Sequence, residues 1–379
     1  IVVRLVGSEM CIRDSFHTDS SRANELWVIN ENSAIFDPNF GGSTVTFYNS
    51  GSDSQWADYR KDSYSAHFMN TASGIAFSDN GGFANTLDVQ DANGNQNGYF
   101  SGCTLWEADT AIYARINQNG PELGSHWDML HQSPFSVGIA AERDNIYWLF
   151  DGFHNTIAKY NFQDPHPDHE HGGEDHSDGI IYRYDEVVVD RVAGLSSHMV
   201  VDSLNDMLYI CDTGNQRVLR ININSGEIGS ILDPYGENIE GYYSMINADF
   251  ETVIDSGLVL PTGIDIYNTF LLVSDYSAGE IFIYDLQVPN QFQLIHTLET
   301  GIVEDLMSIK VGPDGTIWFV STNANKLYQI LPPINGDFDG DNSISLNDFI
   351  VLLSHILNTN SIIDENLFLG DLNYDSVVD

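Results

Sequence analysis

From about residue 22 to residue 331 the chain repeats one local plan, and that plan is the strongest constraint on its fold. In SSHMVVDSLNDMLYICDTGNQRVLRINI, residues 196–223, an apolar run at 199–201 breaks at the polar turn 203–206. A second run at 207–211 breaks at DTGNQ, and a third fills 217–223. Short runs bounded by turn residues predict an antiparallel meander of strands. The same order recurs in FSVGIAAERDNIYWLFDGFHNTIAKYNF (135–162), PTGIDIYNTFLLVSDYSAGEIFIYDL (261–286) and LMSIKVGPDGTIWFVSTNANKLYQIL (306–331), and more loosely in ASGIAFSDNGGFANTLDV (72–89). A partial copy, NELWVINENSAIFDPNFGGSTVTFYN (24–49), lacks a first strand. Gly74, Gly138, His198, Gly263 and Ser308 hold equivalent places, spaced by 64, 60, 65 and 45 residues.

Six units of roughly forty to sixty residues, each a meander of three or four strands, predict a six-bladed β-propeller. A solenoid, the rival, would show shorter and more uniform repeats. The unit at 196–223 resembles an NHL repeat through Asp212, Gly214, Asn215 and Arg217. The last unit shows three strands, so the segment before Asn24 is expected to supply or border a missing outer strand and cover the open edge. The fold class is thus mainly β, a propeller over 16–331, with LPPING (331–336) as a Pro- and Gly-bearing link to a small C-terminal module at 337–379.

That module opens with GDFDGDNSISLNDFIVLLSHIL, residues 336–357. Carboxylates at alternate positions repel one another unless a hard cation gathers them, and calcium takes six to eight oxygens from a loop of this kind. Asp337, Asp339, Asp341, Ser343 (through its carbonyl), Ser345 (through water) and Asp348 fall at positions 1, 3, 5, 7, 9 and 12 of an EF-hand-type loop. Asn342 stands in for the usual glycine and Asp348 for the usual Glu. The plain alternative is a solvated acidic turn. A second, partial loop at 370–379 places Asp371, Asn373, Asp375, Val377 and Asp379 at positions 1, 3, 5, 7 and 9. Between them Leu346, Phe349, Ile350, Leu353, Ile356 and Leu357 make one helical stripe. Two calcium loops, each opening a helix, resemble a type I dockerin domain over residues 336–379. That resemblance implies a small α-helical calcium-folded module that docks on a cohesin-type partner, with Leu346 and Asn347 at the positions that contribute to partner choice.

Fourteen basic residues against fifty-five acidic ones give a net charge of −41, which excludes nucleic acid and anionic membrane surfaces as partners. Such a balance suits a secreted or cell-surface protein in a salty medium. No apolar run is long enough to span a membrane. Three cysteines, Cys11, Cys103 and Cys211, make no framework; a Cys103–Cys211 bridge and two buried thiols are the two readings. Residues 1–15, IVVRLVGSEMCIRDS, resemble translated sequencing-adapter read-through and are expected to stand outside the fold.

For chemistry, the channel mouth is the first candidate. His67 and His131 each lie seven residues before an equivalent glycine, and His198 sits at that position one blade on. Three imidazoles from three blades suit zinc or copper. Their layout is similar to the peptidylglycine amidating lyase propellers, which hold zinc with one His from each of three blades; Arg183 and Arg191 are available but unassigned to that family's arginine. The plain alternative is that His67 and His131 cap loops by hydrogen bonding. A second concentration, DPHPDHEHGGEDHSDG (164–179), sets His166, His169, His171 and His176 among six carboxylates, and reads as a metal-binding tract or a hydrated insertion between the third and fourth strands of the third blade. No catalytic residue is identified. Two functions follow: a secreted propeller that binds an unidentified ligand and is attached through its calcium module, or a metal-dependent lyase or hydrolase displayed the same way.

Overall fold

The computed structural model describes residues 2–4, 10–17, 20–32, 40–120, 123–164, 177–286, 291–331, 346 and 349–352. The chain divides into two compact units: 1–313 with 317–329, and 330–379 with 314–316. The first is a six-bladed β-propeller. Its inner strands are Met10–Phe16, Ala72–Phe77, Ser136–Arg143, Met199–Asp202, Pro261–Tyr267 and Leu306–Val311, and each lies beside the next, with the last beside the first.

Each blade is an antiparallel sheet built outward from its inner strand, and the repeating apolar runs are its strands. The core lies between neighbouring blades, because a twisted sheet with two apolar faces must bury both. Trp27, Phe77 and Trp106 pack blade 1 on blade 2; Leu105, Leu149 and Tyr160 pack blade 2 on blade 3; Trp148, Ile210 and Leu219 pack blade 3 on blade 4. Cys103 and Cys211 are buried thiols, which resolves the two readings against a bridge.

Two features depart from expectation. First, the described parts of residues 1–15, 2–4 and 10–15, are strands of the fold. Val2–Arg4 pairs with Lys326–Ile330 as the outer strand of blade 6, and Met10–Phe16 is the inner strand that the first unit lacked. Strand pairing is a backbone interaction, so any extended segment at that place can complete the ladder and close the ring. Second, blade 3 has six strands. A hairpin inserted between the third and fourth strands of blade 4, Glu227–Ile231 and Gly241–Ile246, crosses to blade 3, where Gly241–Ile246 runs parallel to Ile180–Tyr184.

The inner strands are tied to one another at the end where the chain arrives from the previous blade. The Ser73 hydroxyl donates to the Ser136 carbonyl (2.5 Å). The Ser197 and His198 N–H groups donate to Val137 and Thr262 carbonyls (2.8 and 2.9 Å). The Thr262 hydroxyl donates to the Leu306 carbonyl (2.9 Å). This approach explains the repeating glycines: a Cβ on Gly138 would lie 1.9 Å from the Ser197 carbonyl oxygen, and one on Gly263 would lie 2.7 Å from the Ile309 nitrogen.

Gly138→Ala should therefore lower stability far beyond the usual helix-or-strand Gly-to-Ala effect, by about 3 kcal/mol or more, because backbone must move at a blade junction. Urea unfolding of the whole chain measures it; a midpoint equal to that of the parent would show that the junction relaxes freely.

Candidate functional site

Loops joining second to third strands, and loops leading from a fourth strand into the next blade, emerge at the same end of the propeller. At that end the central channel is filled. Ser196, arriving at blade 4, donates its hydroxyl to the Ser73 carbonyl of blade 2 (3.1 Å) and its N–H to the Met307 sulfur of blade 6 (3.4 Å). A residue that reaches two blades on opposite sides of its own lies on the ring axis. Ser73, Ser196, Ser197, His198 and Met307 are all buried there.

The three histidines are placed accordingly. His67 sits on a short helix, Ser65–Phe68, and His131 directly follows the outer strand of blade 2; their rings lie 5.6 Å apart. His198 is buried in the filled centre. Among the described residues no group of three or more His, Cys, Asp or Glu side chains is arranged to hold a metal ion. His126 is stacked on Phe68 (3.6 Å), its Nδ1 2.7 Å from the Leu123 carbonyl, and Asp128 is buried against the Met129 N–H. The calcium-loop residues Asp337, Asp339, Asp341, Ser343, Ser345, Asp348, Asp371, Asn373, Asp375, Val377 and Asp379 lie outside the described residues, as do Asn347 and the histidines of the 164–179 tract. Leu346, Phe349 and Ile350 are described, helical and exposed.

His131 belongs to a latch. Its N–H donates to Glu237 Oε1 (2.7 Å) and its Nδ1 lies 2.8 Å from Glu237 Oε2. Gln132 donates to Glu237 Oε1 (2.6 Å) and to the Tyr235 carbonyl (3.1 Å), and its amide oxygen accepts the Tyr235 N–H (2.8 Å). Phe100 stacks on the other side of the His131 ring at 3.5 Å. Glu237 and Tyr235 lie in the segment between the strands of the inserted hairpin, so this latch straps that segment across blades 2 and 3.

Under the strap is a cleft of about 220 Å³, whose lining includes Tyr99, Phe153, His154, Arg183, Tyr235 and Tyr242. Tyr99, Phe153 and Tyr235 are 39%, 41% and 47% exposed. Tyr99 meets Phe153 at 4.9 Å with the planes tilted by 43°, and Tyr235 edge-on at 6.0 Å. Three loops from three parts of the chain thus build one angled aromatic wall. Arg183 donates through Nη1 to the Tyr242 hydroxyl (3.1 Å) and through Nε to Asp185 (2.6 Å). Burial pushes the Tyr242 hydroxyl up to about 12, against the opposing pull of Arg183.

His154 is held differently from its counterparts in the repeat. The turns DGFHN, DTGNQ and DYSAG each begin with a fully buried Asp, at 151, 212 and 275. Asp275 accepts four backbone N–H groups, from Val259, Leu260, Ser277 and Ala278. Asp212 accepts from Asn215 and Arg217. Asp151 accepts the N–H groups of Phe153 and His154 on one oxygen and lies 2.7 Å from His154 Nδ1 with the other. This cleft escaped the sequence reading, apart from the unassigned Arg183. The available signal was that DGFHN carries His154 and an exposed-ready Phe153 where the NHL-like unit carries Asn215 and Gly214.

No family model matches the chain, and no curated protein matches its sequence. Similarity is found among solved structures and is one of fold. An auxiliary nutrient binding protein from Bacteroides ovatus aligns with a TM-score of 0.51 at 13% identity, covering 85% of this chain and 69% of that one. The Cps50 (Swd1) β-propeller domain of Myceliophteria thermophila aligns with a TM-score of 0.50 at 8% identity, covering 88% and 100%. A luciferin-regenerating enzyme aligns with a TM-score of 0.50 at 12% identity, covering 88% and 95%.

The His67 imidazole generates a pH prediction. Burial, then the neighbouring His131, lowers it from 6.5 to about 4, against bonds to the Ala92 backbone and the Asn93 side chain and the Asp91 charge. Between those values the unfolded chain carries the extra proton, so this contribution to stability is complete above pH 6.5 and is lost as pH falls towards 4. The loss is at most about 3 kcal/mol. Urea midpoints at pH 7 and pH 4.5 should differ less in His67→Gln than in the parent chain; equal differences would place the acid sensitivity elsewhere.

Proposed function

We propose that the protein is a binding module: a propeller whose blade 2–blade 3 cleft takes a ligand, carried outside the cell on a calcium-dependent C-terminal module that docks on a cohesin-type partner. The observation that supports the binding reading is the partly exposed aromatic wall of Tyr99, Phe153 and Tyr235 beside a small set of polar groups, which is the composition of a ligand site and a costly way to treat solvent-facing surface. A neighbour of the same fold is described as a nutrient binding protein, which is compatible with that reading. Secretion and docking rest on the acidic balance and on the loop spacing at 336–379.

The alternative is a metal-dependent lyase or hydrolase using zinc or copper at His67, His131 and His198. Its support is the 5.6 Å approach of the first two rings, while the latch to Glu237 already occupies one edge of His131. Metal analysis of the purified chain separates the two: stoichiometric zinc or copper that is lost in His131→Ala favours the enzyme.

The binding reading is tested by ligand-dependent thermal stabilisation of the whole chain, since a ligand at one hundred times its Kd stabilises by about 2.7 kcal/mol. Compounds that raise the unfolding temperature should fail to do so in Tyr99→Ala/Tyr235→Ala; equal shifts would remove the cleft as the site. For the C-terminal module, calcium titration of the whole chain should show uptake that Asp337→Ala or Asp348→Ala abolishes, because each removes a charged ligand. Uptake that persists in both variants would return DFDGD to a solvated acidic turn.

A further inference from the structure

We infer that the cleft between blades 2 and 3 takes a neutral polyhydroxylated ring, a pyranoside unit of a saccharide, with His154 accepting from one ring hydroxyl and Tyr242 donating to another. This rests on the cleft being a binding site, and it follows from three properties of the groups that line it.

The first is the shape of the aromatic surface. Tyr99 meets Phe153 at a centroid distance of 4.9 Å with the planes tilted by 43°, and Tyr235 edge-on at 6.0 Å and 85°. The three rings make an angled wall and not a stack. The face of any one of these rings, which carries the negative end of the quadrupole, suits a ligand that presents a flat row of C–H groups.

The second is the hydrogen-bonding character. His154 Nδ1 lies 2.7 Å from Asp151 Oδ2, which can only accept, so in the neutral imidazole the proton sits on Nδ1 and Nε2 is left as an acceptor. Tyr242 accepts from Arg183 Nη1, which leaves its own O–H to be donated. Both residues line the cleft, and one acceptor with one donor matches a pair of hydroxyls, each able to do both. A carboxylate offers only acceptors and an ammonium only donors, so each would satisfy half of the pair.

The third is charge. Arg183 is neutralised by Asp185 at 2.6 Å, and the chain as a whole carries −41, so an anion meets no unpaired cation and a repulsive field. Neutral, hydroxylated and flat on one side is the chemistry of a sugar ring.

Blade 4 supplies the discriminating variant. Asn215 bonds Asp212 as His154 bonds Asp151, so His154→Asn keeps the turn while withdrawing the acceptor from the cleft. Isothermal titration of the whole chain with cellohexaose, xylohexaose, mannohexaose and maltohexaose is compared with trigalacturonate and chitosan hexaose. At least one neutral hexasaccharide should bind, and His154→Asn and Tyr242→Phe should each weaken it about tenfold or more with the unfolding temperature unchanged. Equal affinity in His154→Asn overturns the assignment of the acceptor. Binding confined to the charged saccharides, and lost in Tyr235→Ala, overturns the ligand class while the cleft stands. If no probe binds in a manner sensitive to Tyr235→Ala, the cleft itself is not the site and both readings fall.

Discussion

The fold depends on the stitching of the inner strands where each blade receives the chain. Ser73 to Ser136, Ser197 to Val137, His198 to Thr262 and Thr262 to Leu306 are backbone or short-side-chain hydrogen bonds in a fully buried setting. A blade alone cannot satisfy these groups, and an unpaired buried amide or hydroxyl costs roughly 1–3 kcal/mol. Ring closure satisfies them together, which makes the six sheets one cooperative body. The same stitching places Ser196 on the ring axis, in contact with blades 2 and 6.

The cleft lies outward of the filled centre, among the loops between blades, and arises where the repeat is broken. The segment at 88–102 of blade 2 carries Tyr99 and Phe100 far beyond a simple turn, and the hairpin inserted in blade 4 crosses to blade 3. Glu237 then anchors the crossing segment by three hydrogen bonds to His131 and Gln132. A carboxylate accepting three donors at 2.6–2.8 Å holds the strap in one place, which is what a preorganised aromatic wall needs.

How much was legible in the sequence follows from what repeats. Period and turn residues show blades because every blade obeys the same strand and turn physics, and the glycines at 138 and 263 mark junctions because only a missing side chain permits that approach. The hairpin crossing was not legible: its strands, Glu227–Ile231 and Gly241–Ile246, read as ordinary members of a meander, and nothing local says that one pairs in parallel with a different blade. The need for an outer strand on the last unit was legible from its three strands, and Val2–Arg4 supplies it; which residues would serve, there and at Met10–Phe16, was not, since ladder bonds are made by the backbone and carry no mark in residue identity. Seven-residue offsets correctly brought His67 near His131, yet equal loop position does not fix where a side chain points, and His198 went to the core.

Acidity and site design are connected. With fourteen basic residues in the chain, described cations are spent on particular carboxylates: Lys159 on Glu142, Arg191 on Asp88, Arg217 on Asp212 and Lys310 on Asp265. Each pair joins segments that the fold must hold in register, as when Arg191, arriving at blade 4, reaches Asp88 of blade 2. Burial raises the Asp88 carboxyl, and the guanidinium counters it. The remaining acidic surface keeps the molecule soluble and repels anions over a distance set by ionic strength. On the proposed binding reading, a cleft in such a field does best with a neutral ligand, held by dispersion on aromatic rings and by hydrogen bonds whose partners are fixed in advance. The Asp that begins this turn recurs at 212 and 275 as a structural cap, and at 151 an imidazole lies within its reach, so the cap also orients the His154 ring.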